Sequence, residues 1–303
     1  MASYRNVLIA VVLVAFLASY PTAAPKYSDW SAPVNLGAVI NSPFNDQGPA
    51  ISKDGLSLYF SSGRPGGFGG SDIWVSQRAN LEAPWDPPIN LGEVVNTVAD
   101  ESIPALSRDE HWLFFNSNMS GGFGNNDIWA SYRQHTHDDS GWLAPRNLGA
   151  GVNSPFNDQG AGYLENDEGA APLLFFGSDR PGGPGSNDIY VSQLLPDGTF
   201  GPATLVAELG SPGGDFRPSV RFDGLEVFFF SNRSGSLGND VWTATRETVF
   251  DFWSNIENLG PVVNSPAGDI HPYIAPDRQT LYFASNRAGG FGAQDLYVTT
   301  RHK

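Results

Sequence analysis

Cysteine is absent from the 303 residues. Disulfides, thiolate nucleophiles, cysteine-ligated metals and a lipid-modified N-terminal cysteine are excluded with it. Basic residues are scarce, 17 Lys and Arg against 32 Asp and Glu, for a formal net charge of -15. Such a surface repels phosphate backbones and anionic headgroups, so no nucleic-acid partner is expected. Long apolar runs are limited to Val7–Ala18, with Arg5 before it and the small residues Thr22-Ala23-Ala24 after it. That run is short for a bilayer and carries the flanks of a secretory signal, so no membrane span is expected. Residues 1–24 read as a signal peptide and 25–303 as a secreted or periplasmic domain. The G-x-S-x-G and H-E-x-x-H patterns are also missing, and with them the common serine hydrolase and zinc protease signatures.

What is abundant is glycine (35), proline (23) and phenylalanine (20). The mixture suits short strands joined by tight turns and is poor for helices. The stretch Leu56–Arg78, a strand, a glycine-rich loop and a second strand, recurs at Trp112–Arg133, Leu173–Leu194, Val227–Arg246 and Leu281–Arg301. Each copy holds an apolar aromatic doublet (Tyr59-Phe60, Phe114-Phe115, Phe175-Phe176, Phe228-Phe229, Tyr282-Phe283). Strand residues alternate between faces, so a doublet marks a strand covered on both sides. After the loop comes Asp-Ile-Trp or a variant, beginning at Asp72, Asp127, Asp188, Asp240 and Asp295. Between copies lies a tryptophan-to-Asn-Leu-Gly segment (Trp30–Gly37, Trp85–Gly92, Trp142–Gly149, Trp253–Gly260, degraded at Phe200–Val206).

Each repeat thus offers four strands: A before an Asp-Gly turn, B with the doublet, C with Asp-Ile-Trp, D in the tryptophan segment. A four-stranded unit repeated about an axis is a propeller blade. The chain opens on a D segment and ends on a C strand, so the first D can complete the last blade. The expected fold is all-β: a single five-bladed β-propeller with four antiparallel strands per blade, closed by the N-terminal strand. An open solenoid would gain nothing from that offset.

The repeat resembles the TolB-type, WD-like β-propeller repeat family in Pro49–Gly55, Leu58–Ser62, Arg64–Gly67 and Asp72–Trp74. The resemblance implies an exported propeller used for protein or cell-envelope interactions. The best-known members have more blades.

Strand direction puts the D–A and B–C loops at one mouth of the ring. That mouth carries a carboxylate before each A strand (Asp46, Glu101, Asp158, Asp215, Asp269) and an arginine opening four of the five glycine loops (Arg64, Arg180, Arg233, Arg287). A feature present in every blade belongs first to the scaffold, here as a turn cap or ion pair. Deviations are the sharper binding candidates: Asp100 beside Glu101, Met119 in place of the second arginine, Arg217 after Asp215, and His271 after Asp269. Exposed Phe68, Phe123 and Phe291 at the loop tips offer apolar or sugar-stacking surface. The glycine loops lack the following helix and the lysine of a phosphate loop. His135-Thr136-His137-Asp138-Asp139, on the opposite mouth, is an incomplete metal set and reads as a solvated turn. Asn118-Met119-Ser120 and Asn232-Arg233-Ser234 are glycosylation sequons in a eukaryotic secretory route.

These residues lead to an expectation of a binding module without catalysis, for a protein or a cell-envelope polysaccharide. No catalytic residue, metal ligand or cofactor is expected, calcium being the one ion the acidic mouth suggests. The alternative is a glycoside hydrolase using two of Asp46, Glu101, Asp158 and Asp269.

Overall fold

A computed structural model describes residues 27–165 and 171–303; the signal-peptide reading of 1–24 lies outside the described residues. Twenty strands form five four-stranded antiparallel sheets. Blade 1 is β2 (Asp46–Ile51), β3 (Ser57–Ser62), β4 (Asp72–Gln77) and β5 (Ile89–Asn90). Blade 2 is β6 (Glu101–Leu106), β7 (Trp112–Ser117), β8 (Asp127–Tyr132) and β9 (Arg146–Asn147). Blade 3 is β10 (Asp158–Leu164), β11 (Leu173–Ser178), β12 (Asp188–Gln193) and β13 (Thr204–Leu205). Blade 4 is β14 (Asp215–Val220), β15 (Glu226–Ser231), β16 (Asp240–Thr245) and β17 (Ser254–Asn258). Blade 5 takes β18 (Asp269–Ile274), β19 (Thr280–Ser285) and β20 (Asp295–Thr300) from the C-terminus and β1 (Val34–Asn35) from the N-terminus. The five-bladed all-β ring expected from the repeats is the fold observed.

All ten residues of the aromatic doublets are buried. They sit on the second strand of each blade, where one ring meets each neighbouring blade, so the core is a set of layers between sheets. The D segments are shorter as strands than the repeat suggests, two residues in four of the five blades. What anchors them is the tryptophan upstream. Its ring lies under an arginine from the end of strand C: Arg78 on Trp85 at 4.4 Å, Arg133 on Trp142 at 4.5 Å, Arg246 on Trp253 at 4.1 Å, and across the closure Arg301 on Trp30 at 4.6 Å. Such stacking adds a cation–π attraction to the burial of the indole.

The innermost strands β2, β6, β10, β14 and β18 surround the axis, and each is bulged after its second residue. The bulge puts Gly48, Ile103, Gly160, Arg217 and His271 in the left-handed region, with φ of 64°, 53°, 69°, 43° and 54°. A Cβ on Gly48 would stand 2.8 Å from the Ile103 Cα, and one on Gly160 2.8 Å from the Arg217 Cα. The ring is that tight at its axis.

Candidate functional site: the glycine-loop mouth

The strand-A carboxylates begin the innermost strands and are fully buried. Asp46 accepts the Ser42 backbone N–H (2.5 Å) and hydroxyl (2.7 Å), the Ser62 hydroxyl (2.5 Å) and the Arg64 guanidinium (2.6 Å). Asp158 repeats this with Ser154, Ser178 and Arg180, and Asp269 with Ser265 and Arg287. Asp215 does so with Ser211 and Arg233. Each arginine also donates to a carbonyl of the preceding D–A loop, for example Arg64 to Ile40 O, and lies over two core aromatic rings, Phe60 and Trp74 in blade 1. The assembly ties both loops of a blade to its innermost strand. Four of these carboxylates are therefore scaffold ion pairs out of reach of a ligand. That is a structural reason why inner-strand carboxylates do not supply a free acid–base pair here.

Blade 2 departs from the pattern. Glu101 accepts from the Thr97 N–H and hydroxyl and from Ser117, but Met119 stands where the arginine would be. Burial, without that cation, pushes the Glu101 carboxyl above the usual range. Asp100, its neighbour, is exposed and accepts the Ser71 N–H at 3.0 Å.

Two expected mouth residues lie elsewhere. Arg217 is buried in the axis, donating to His271 O (3.1 Å), Pro49 O (2.8 Å) and Pro104 O (3.2 Å), on three other blades' innermost strands or their ends. Burial with no carboxylate partner pulls its pKa down to about 9. His271 is likewise buried, and burial, then the Arg217 charge, holds its imidazole well below the usual range. The physical reason for the displacement is the inner-strand bulge, which turns the third residue of strand A into the axis rather than toward the loops. Together these side chains plug the ring.

The glycine loops do not cradle an anion, because each already holds one. Asp72 accepts the N–H of Phe68 and Gly69, Asp127 those of Phe123 and Gly124, and Asp295 those of Phe291 and Gly292. The loop tips present their rings outward. Phe68, Phe123 and Phe291 are 47%, 49% and 49% exposed, and the D–A loops add exposed Phe44 and Phe156 beside them. Phe44 and Phe156 fall in the Ser-Pro-Phe-Asn-Asp repeat, and only the packing of one loop on the next shows that they join the other rings.

Sequence reasoning missed two further kinds of residue on this mouth. Asp179 occupies a position held by Asn118, Asn232 and Asn286 in other blades; it is half-buried and accepts the Asn157 N–H and side-chain amide, both at 2.7 Å. A comparison of that one column would have found it. Asn239 and Gln294, just before strands β16 and β20, carry buried amide oxygens that accept no hydrogen bond. Both fall in the repeat column just before the strand-C aspartate, with Asn126 and Asn187, and the Asn187 oxygen is likewise buried without a partner.

On the opposite mouth, a 340 Å³ cleft between blades 1 and 2 is lined by Asp54, Asp86, Glu110 and His137 among others. Glu110 holds a left-handed turn position (φ 62°), and burial raises its carboxyl pKa. The His135–Asp139 tract borders this cleft. Its Asp139 is not a solvated residue: it accepts from Arg133, Tyr59, Ser57 and Gln77, joining blades 1 and 2. Among the described residues no three His, Asp or Glu side chains are grouped to hold a metal ion, and no helix is long and apolar enough to cross a membrane.

No protein-family model and no curated protein sequence matches the chain. Solved structures do. A thermostable family-43 glycoside hydrolase is similar with a TM-score of 0.62 at 12% identity, over 86% of this chain and 91% of that one. The native arabinanase of Bacillus subtilis is similar with a TM-score of 0.56 at 13% identity, over 88% and 96%. At such identities the likeness establishes the shared five-bladed fold. A protein described as a TolB from Agrobacterium tumefaciens follows at a TM-score of 0.47 and 18% identity, over 88% and 81%, too loose to carry an argument for the repeat family named above. The expectation of a chain without catalysis is corrected by these comparisons, because the similar rings are those of glycoside hydrolases.

Proposed function

We propose that the protein is a polysaccharide-acting hydrolase that takes its glycan at the glycine-loop mouth. The observation that carries this reading is the division of labour among the mouth carboxylates. Four of the strand-A carboxylates are consumed by arginines and Glu101 is buried, whereas Asp100 and Asp179 stand toward the surface on neighbouring blades 2 and 3 with no ion pair among the described residues. Cleaving a glycosidic bond takes two carboxyl groups, one to protonate the leaving oxygen and one to attack or to activate water. Asp100 and Asp179 are a pair of carboxyl groups on this mouth that the scaffold ion pairs do not consume. The exposed Phe44, Phe68, Phe123, Phe156 and Phe291 support the reading as stacking surface for sugar rings. Similar rings with arabinanase activity make arabinan the first substrate to test.

The test is release of reducing ends from arabinan and a panel of neutral polysaccharides by the mature protein. Asp100→Asn and Asp179→Asn should each lower turnover by about 10²–10⁴-fold, the span of a lost general acid or base, with melting temperature unchanged. Wild type releasing no sugar from any member of the panel, or either variant cutting as fast as wild type, would sink the assignment.

A further inference from the structure

Between blades 4 and 5 the glycine-loop mouth opens into a groove of about 490 Å³. Its polar walls are carboxamides: Asn232, Asn239, Asn286 and Gln294. No charged side chain lines it. Asn239 Oδ1 and Gln294 Oε1 are buried yet accept nothing. Asn232 and Asn286 spend their oxygens on the Gly214 and Gly268 N–H groups, at 2.7 and 2.8 Å, which leaves their amide N–H groups to donate elsewhere. Ile270 and Pro266 supply a small apolar wall.

A buried acceptor without a partner costs about 1–3 kcal/mol, so two in one groove call for an occupant. The groove is far larger than one water, whose share of liquid volume is roughly 30 Å³, and falls within the usual range of ligand sites. The occupant must donate to two acceptors, accept from amide donors and present an apolar face to Ile270. It must also carry no charge, since no ion partner is there and the molecule's surplus of carboxylates repels anions. A sugar ring meets each condition with its hydroxyls and its C–H face.

We propose that this groove is a binding subsite for one or two neutral sugar residues, held by Asn239 and Gln294 and closed to uronic acids. The choice of a sugar rests on the reading of a polysaccharide-acting chain; the neutrality rests on the uncharged groove and the chain's acidic balance. Because the two oxygens have no internal partner, Asn239→Leu and Gln294→Met remove recognition without breaking a bond of the fold.

Calorimetric titration with neutral arabino- and xylo-oligosaccharides and with oligogalacturonate reads the proposal out. Wild type should bind at least one neutral series, and each variant should lose tenfold or more in affinity while melting no lower than wild type. Oligogalacturonate should not bind. Absence of binding to every neutral series, unchanged affinity in both variants, or equal binding of oligogalacturonate would overturn the subsite. Asp100→Asn and Asp179→Asn separate it from hydrolysis: they should bind as wild type does. Binding without cleavage by wild type defeats the hydrolase reading and leaves the subsite. Cleavage insensitive to Asn239 and Gln294, with unchanged affinity, defeats the subsite and leaves the hydrolase.

Discussion

Met119 isolates what the blade arginine does for stability. In blades 1, 3, 4 and 5 a guanidinium meets the strand-A carboxylate at 2.5–2.6 Å. In blade 2 the carboxyl of Glu101 has hydroxyl and amide donors only, and burial raises its pKa. A group whose folded pKa exceeds its unfolded value weakens the fold as pH rises between the two. Met119→Arg reverses the sign: the cation lowers the folded pKa, and the added stability is present above the ordinary glutamate range and lost in acid. The variant should gain about 1–2 kcal/mol at neutral pH, a rise of roughly 2–3 °C in melting temperature, and little at pH 3. Melting curves from pH 3 to 7 check it; a gain independent of pH would mean packing, not charge, was responsible. The sequence showed this vacancy plainly, because a repeat makes every deviation visible. It did not show that Arg217 and His271 turn into the axis, since a bulge depends on how two strands pair. It set Asn239 and Gln294 in one repeat column with Asn126 and Asn187, but did not show that their oxygens lack partners.

At the scale of an element, the glycine loop explains why the blades abut. A Cβ on Gly69 would fall 1.7 Å from the Ala99 carbonyl oxygen of the next blade, whereas one on Gly238 would stand 3.2 Å from the Ala267 carbonyl oxygen. Gly69→Ala must therefore push its loop off blade 2, at a cost of about 1–3 kcal/mol, and Gly238→Ala should cost well under 1 kcal/mol. Denaturant midpoints of the two variants test the ordering, and equal losses would show that the loop–loop seating is not what fixes the glycine. The loop and its capping aspartate were legible as a turn followed by a strand start. The D segments were legible in position but not in length: the repeat suggested a strand of several residues, and four of the five hold two.

For the whole molecule the decisive join is β1 on β20. Val34 pairs Val298 and Asn35 pairs Tyr297, in the same register by which Ile89 pairs Val75 and Asn90 pairs Trp74 in blade 1. Trp30 adds an edge contact to Phe228 at 5.8 Å and lies beneath Arg301, which itself holds Glu226 of blade 4 at 2.5 Å. So the first strand seals blade 5 and also braces it against blade 4. Two outcomes separate a sealed ring from a chain of independently stable blades. Trp30→Ala should cost about 2–3 kcal/mol, less than a fully buried aromatic because Trp30 is only partly buried, and should lower the melting temperature of all five blades together, because an opened ring exposes the edge of β20. A circular permutant should restore what deletion of residues 27–37 removes. Ser28 and His302 are already joined backbone to backbone at 2.7 Å, so residues 27–37 can follow residue 303 through a short linker and reach the same edge. The permutant should unfold in one transition near the wild-type midpoint, and the deletion should aggregate or melt broadly. If the deleted chain melts as sharply and as high as the permutant, closure is dispensable, and the blades are held by their neighbours alone.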